Sequence, residues 1–165
     1  MKSGHSTHES RCAWQWHSGC RIISAWWHGS GIALGFRFEF DAANKILLGR
    51  FEGRLTDESV AEFYGAIRKY SIATDASAGI WDFSGVTEFT GTSESIRRLA
   101  KQEPAMPDAT RRPRFIVAPA MFVFGISRMF QISGESTRPL LTVVHTMDEA
   151  LAALGVPCPQ FEPLQ

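Results

Sequence analysis

From Phe36 onward, short apolar runs alternate with amphipathic stripes, and after the first two runs a single stripe separates each run from the next. This alternation constrains the fold more than any other feature. Strands joined through single helices pair in parallel, and the crossovers are right-handed. Phe36, Phe38 and Phe40 alternate with Arg37, Glu39 and Asp41, which is a strand with one apolar face. Asp41 to Asn44 reads as a turn and Ile46 to Leu55 as a second strand, so the first two runs form an antiparallel hairpin. Gly49 and Gly53 mark a bulge or a close backbone approach.

Thr56 caps a helix whose apolar face is Val60, Phe63, Tyr64 and Ile67. Ala78 to Phe83 is a third strand. Thr92 or Ser93 opens a second helix with Ile96, Leu99 and Ala100 on one face. Phe115 to Ala118 is a strand of the buried type, 120–133 a third helix and Leu140 to Val144 the last strand. Thr146-Met147-Asp148-Glu149 is a capping box, and Gly155 ends the helix that follows. The expected order is β-β-α-β-α-β-α-β-α: one α/β domain over residues 35–155, with a central, mostly parallel sheet, an N-terminal hairpin and about four helices. Residues 156–165, with Pro157, Pro159 and Pro163, are expected to be an irregular tail.

Residues 1–34 follow a different logic. They hold four of the five Trp and four of the five His, whereas all twelve Phe lie after residue 35. Cys12, His17 and Cys20 lack the short Cys-x2–4-Cys spacing of a structural zinc site, so no metal is expected. Trp and His interrupt any apolar core of a targeting signal. The expectation is a disordered or spurious arm. Three scattered Cys and no convincing signal imply a reducing, cytoplasmic setting.

Seventeen basic and seventeen acidic residues exclude a surface built wholly for a polyanion, and no nucleic-acid partner is expected. No apolar run reaches the ~20 residues of a membrane span. Asp82, His145, Thr92 and Ser93 fall where ligands sit in open parallel sheets, but no Gly-x-Ser-x-Gly elbow, phosphate loop or dinucleotide fingerprint accompanies them. The chain is therefore read as a non-enzyme without a cofactor.

Ile80-Trp81-Asp82-Phe83-Ser84-Gly85-Val86-Thr87-Glu88-Phe89-Thr90-Gly91-Thr92-Ser93 resembles the core segment of STAS domains, the family of bacterial anti-sigma-factor antagonists. Gly125-Ile126-Ser127-Arg128-Met129-Phe130 resembles the Gly-x-x-Arg-Met-Phe helix motif of the SpoIIAA-like branch of that superfamily, which is akin to CRAL–TRIO lipid-binding proteins. The resemblance covers about 120 residues, one typical domain. It implies a STAS-like fold and a regulatory protein-interaction role, and it places Thr92, with Ser93 beside it, at the phospho-acceptor-like position. The Asp and the final Gly of that motif are replaced by Thr90 and Ser93, and the hydroxyls of Thr92 and Ser93 also serve as helix caps.

Two functional classes follow. The third helix carries Met121, Phe122, Phe124, Ile126, Met129 and Phe130 and leaves almost no polar face, which suits a protein partner or a homodimer. The second class is a carrier of an apolar, anionic, lipid-like ligand, or a peripheral binder at the inner membrane surface. Its anion-site candidates are Arg97, Arg98, Arg111, Arg112 and Arg128. Because a lone charge on an apolar helix needs a carboxylate, Arg128 is expected to pair with Asp82.

Overall fold

The computed structural model describes residues 35–165; the expectations for residues 1–34 lie outside the described residues. β1 (Phe36–Asp41) and β2 (Ile46–Leu55) form the hairpin, followed by α1 (Asp57–Thr74), β3 (Ala78–Phe89), α2 (Ser93–Ala100), β4 (Arg114–Val117), α3 (Met121–Ser133), β5 (Leu141–Val144), α4 (Met147–Leu154) and β6 (Glu162–Pro163). The six strands make one sheet in the order β5-β4-β3-β2-β1-β6. β2, β3, β4 and β5 run parallel, and β1 is antiparallel to both its neighbours. This is the mixed α/β architecture that the alternation predicts.

The two faces of the sheet are packed differently. On one face Phe38, Leu47, Phe51, Trp81, Ile116 and Leu141 meet Phe63 and Ile67 of α1 and Val123 of α3. On the other face Ile46, Leu48, Ile80, Phe115 and Val117 meet Ala150 of α4. Helix α2 lies against α3 and α1 and leaves an inner space between the helices and the sheet.

Gly49 and Gly53 do the two things glycine permits, one each. A Cβ at Gly49 would stand 2.8 Å from the Phe38 ring and 2.9 Å from the Phe63 ring. Its absence lets Phe63 stack on Phe38, with ring centroids 5.4 Å apart. Gly53 has φ +85, and the β2–β3 register shifts beside it.

That irregularity changes one strand. The pattern predicts that β3 ends at Phe83, yet it continues to Phe89, because the bulged β2 turns with it and keeps pairing: Gly53 with Val86 and Leu55 with Phe89. Arg54 Nε meets Glu88 Oε2 at 2.8 Å across the two strands, so Glu88 is a strand residue and not a loop residue.

The tail is likewise more ordered than its prolines suggest. Glu162 and Pro163 pair with β1, the Leu164 N–H donates to the Phe38 carbonyl at 2.9 Å, and the Gln160 N–H donates to Asp41 Oδ2 at 3.1 Å. Proline is compatible with such an edge position, where no donor is needed.

Gly65, on α1, has open space around its Cβ position. Gly49→Ala is expected to destabilise the domain by ~1–3 kcal/mol through ring collision, and Gly65→Ala to stabilise it by ~0.5–1 kcal/mol. Urea unfolding measures both. A Gly49→Ala midpoint equal to wild type would show that the rings do not constrain the strand.

Candidate functional site

Helices α2 and α3 carry most of the residues the sequence singles out. Thr92 is the N-cap of α2, and its hydroxyl accepts from the Ser95 N–H at 3.1 Å. The first turn of α1 completes the cap. Asp57 Oδ1 accepts from the Thr92 N–H at 3.0 Å, and its Oδ2 accepts from the Ser95 hydroxyl at 2.8 Å. These bonds, the Thr92 N–H first and the Ser95 hydroxyl next, hold the Asp57 carboxyl below its ordinary pKa, with Arg98 adding a smaller attraction. In the motif the sequence resembles, an Asp precedes the acceptor. Here a carboxylate from another helix binds the same turn. An added phosphate on Thr92 would meet that charge at hydrogen-bond range, so the geometry favours Thr92 as a cap. Ser93 is exposed in the first turn.

The apolar surface expected on α3 divides in two. Met121 is 87% exposed, Ile132 63% and Phe122 43%. Gly125 and Arg128 lie exposed on the same outward stripe, with Met129 half-buried at its margin. Phe124 stacks on the His145 ring with centroids 4.1 Å apart. Val123 and Ser127 are buried, and Ile126 and Phe130 face the inner space.

That space is a cavity of about 80 Å³ beneath α2 and α3. Its wall is almost wholly apolar and includes Phe63, Phe83, Met106, Ile116 and Phe130. Two arginines also line it, Arg114 at the start of β4 and Arg138 in the α3–β5 connection, each only 3% exposed. No carboxylate belongs to the wall among the described residues.

The expected Arg128–Asp82 pair does not form. Asp82 Oδ2 meets Arg50 Nη1 at 2.6 Å, and Arg50 Nε reaches Glu39 Oε1 at 3.1 Å. The reason is the period of the strand. Trp81 and Phe83 point toward the α1 and α3 side, so Asp82 points to the opposite face, where it neighbours β2 and β1. Arg128 donates to Gln131 one turn along its own helix.

The basic residues grouped by the sequence also separate. Arg112 donates to the Ala76 carbonyl at 2.6 Å and meets Asp75 at 3.1 Å, which makes it a clamp on the α1–β3 connection. Arg98 donates to the Ser95 hydroxyl at 3.0 Å. Arg97 and Arg111 are exposed with no ion pair among the described residues. Arg114, close to Arg111 and Arg112 in the sequence, is buried on the cavity wall instead. Arg138 and Asp57 carry no sequence signal of their role, because both act on partners distant in the chain.

Asp82, His145 and Thr92 do not assemble into a relay. Asp82 is held by Arg50, the His145 ring by Phe124 and Thr92 by Asp57 and Ser95, and no hydrogen bond joins the three.

The described chain is similar to the anti-sigma factor antagonist SpoIIAA. Its solved structure in the unphosphorylated form matches with 13% identity and a TM-score of 0.49, covering 73% of this chain and 97% of that one. The structure of the Bacillus cell fate determinant SpoIIAA in its phosphorylated form matches with 21% identity and a TM-score of 0.43, covering 72% of this chain and 98% of that one. No family model and no curated protein matches the chain.

The Asp57 contacts make a pH prediction. Its lowered folded-state pKa means that the unfolded chain binds the proton more readily. The stability it contributes is therefore complete above the unfolded-state carboxylate range and is lost as pH falls through the folded-state value. Carboxyl 13C NMR is expected to show Asp57 titrating below its ordinary midpoint, and Ser95→Ala is expected to move that midpoint up. Thr92→Ala is expected to lower stability by ~1 kcal/mol through loss of the cap. An Asp57 midpoint that Ser95→Ala leaves in place would show that the Ser95 hydroxyl does not hold it.

Proposed function

We propose that this domain is a regulatory interaction module without chemistry of its own, and that it docks a protein partner on the outward face of α3. The observation that carries this reading is the composition of that face. Met121 and Phe122 at the start of α3 and Ile132 near its end are presented to solvent along one helix, with exposed Gly125 and Arg128 between them. Large apolar side chains exposed on one helix face are what an interaction surface presents, and methionine lets such a surface adapt to its partner.

Gly125 supports the same reading. It stands in the middle of α3 with nothing within 4 Å of its Cβ position, where glycine costs a helix ~1 kcal/mol relative to alanine. What the missing side chain provides is a site where a second backbone can come close. Arg128 supplies one charge beside it and selects a partner that brings a carboxylate.

A protein fits this face better than a bilayer does. Helices that lie in a membrane interface flank their apolar side with several Lys or Arg, whereas α3 carries Arg128 alone. No helix among the described residues is long and apolar enough to cross a membrane. The resemblance of the β3–α2 segment to STAS domains is in keeping with a protein partner.

The test places a photo-crosslinking amino acid at Met121 in the full chain, in living cells, with exposed Ala73 on α1 as the control position. Position 121 is expected to give a discrete protein adduct that position 73 does not. A Gly125→Gln background is expected to reduce its yield about tenfold, as a side chain forced into a close contact costs ~1–3 kcal/mol. An adduct of twice the chain mass would identify the partner as a second copy. Adducts with phospholipid alone, or equal labelling at both positions, would overturn the reading.

A further inference from the structure

The two arginines of the inner cavity are not equivalent. Arg138 is surrounded by acceptors: its guanidinium donates to the Ala100 carbonyl, to the Gln102 carbonyl at 2.9 Å and to the Thr137 hydroxyl at 2.8 Å, and it also meets the Tyr64 hydroxyl. Ala100 is the last residue of α2, so Arg138 neutralises the carbonyls and the partial negative charge at that helix end. Phe130 faces the same guanidinium at 5.1 Å. Its charge is structural and it is compensated.

Arg114 is not. One of its nitrogens, Nη2, donates to the Ala109 carbonyl at 2.7 Å, and its buried Nε has no hydrogen-bond partner among the described residues. No ion pair forms at Arg114 among the described residues, and the charge that bears on it is that of Arg138, of the same sign. Burial first, and then the Arg138 charge, push its pKa down to about 10, which still leaves it cationic at neutral pH. Holding a cation out of water costs several kcal/mol unless an opposite charge answers it, and one carbonyl does not.

We propose that the cavity beneath α2 and α3 is a binding site for a small apolar monocarboxylate, with the inward guanidinium of Arg114 as its carboxylate clamp. The fork of an arginine presents Nε–H and an Nη–H in parallel, which matches the two oxygens of a carboxylate. The anion is singly charged because only one of the two cations lacks compensation. The rest of the ligand lies among Phe63, Phe83, Ile116, Ile126 and Phe130. A cavity of about 80 Å³ is roughly half the size of an engineered apolar cavity that accepts benzene, so it suits a carboxylate of about three to five carbons. This site is separate from the proposed docking face: it lies on the inward side of α3 and does not rest on that reading.

The test uses the full chain with butyrate, acetate, phosphate and chloride as probes, read by thermal unfolding and by NMR of 13C-carboxyl butyrate. Butyrate is expected to raise Tm saturably and to give a shifted or broadened carboxyl resonance. Acetate is expected to bind more weakly, by about fourfold for each buried methylene removed. Phosphate and chloride are expected to have no saturable effect. Arg114→Met is expected to abolish the butyrate response while the free protein keeps or gains Tm, since an uncompensated buried charge has been replaced by an apolar side chain of similar length. Should Arg114→Met not fold, Arg114→Lys keeps the charge but loses the fork, and it is expected to weaken butyrate binding at least tenfold. No response to butyrate, a butyrate response unchanged in the folded Arg114 variant, or equal protection by chloride or phosphate would each overturn the proposal.

Discussion

The two-residue period of β2, β3 and β4 is the constraint on which the rest of this structure depends. In β3 it sends Trp81 and Phe83 toward α1 and α3 and sends Asp82 to the opposite face, into the reach of Arg50. In β4 it sends Phe115 and Val117 toward α4 and sends Ile116 and Arg114 the other way, into the space under α2 and α3. A shift of one residue in either strand would exchange a charge for an aromatic or aliphatic side chain on both faces at once. The charged network on one side of the sheet and the cationic cavity on the other therefore have a common origin in register.

Register also explains why a formally neutral chain holds an uncompensated cation. Glu39, Glu52, Asp82 and Glu88 are engaged on or near the strands by Arg37, Arg50 and Arg54, and Asp75 by Lys45 and Arg112. These pairs are largely at the surface, where each contributes little to stability. The two arginines on the inward face meet carbonyls and a phenol instead of carboxylates. Equal counts of acids and bases describe the sum and not where the charges stand.

The parts of the fold legible in the sequence are those set by neighbours in the chain. The Phe36–Phe38–Phe40 face, the apolar stripe on α1 and the Thr146 cap with Gly155 at the far end of α4 are all local patterns and each appears, except that the Glu149 carboxylate accepts from the His145 N–H and not from that of Thr146, so only the Thr146 half of the expected capping box forms. What was not legible depends on partners brought from afar. β3 continues past Ser84 and Gly85 because a bulge in β2 follows it. Glu162 and Pro163 become a strand because β1 offers an open edge and Asp41 captures the Gln160 N–H. The candidate site divides along the same line. Thr92 was visible as a helix cap, but its Asp57 partner lies 35 residues away. The residues of α3 were visible as apolar, but which of them face the cavity and which face outward depends on where the helix packs. Arg114 sits beside Arg111 and Arg112 in sequence and looks like one of a solvated group, and only the strand it begins turns it inward.

Helix α3 is where these local and distant effects meet. α1, α2 and α4 begin at Thr56, Thr92 and Thr146, each of which accepts a backbone N–H, whereas α3 begins at Ala120 with no side-chain cap. It has no acidic residue in its first turn and carries Gly125 at its middle. A missing cap and an internal glycine each cost ~1 kcal/mol, so the intrinsic preference of this segment for helix is weak. Its helical state comes from packing, with Val123 and Ser127 buried beneath it and Phe130 held against the Arg138 guanidinium. What a helix normally owes to its own sequence is here owed to the cavity wall it forms, at a helix whose outward side carries exposed Met121, Phe122 and Ile132. The same segment thus lines the cationic cavity and presents the exposed surface, and the geometry of one side is fixed by the packing of the other.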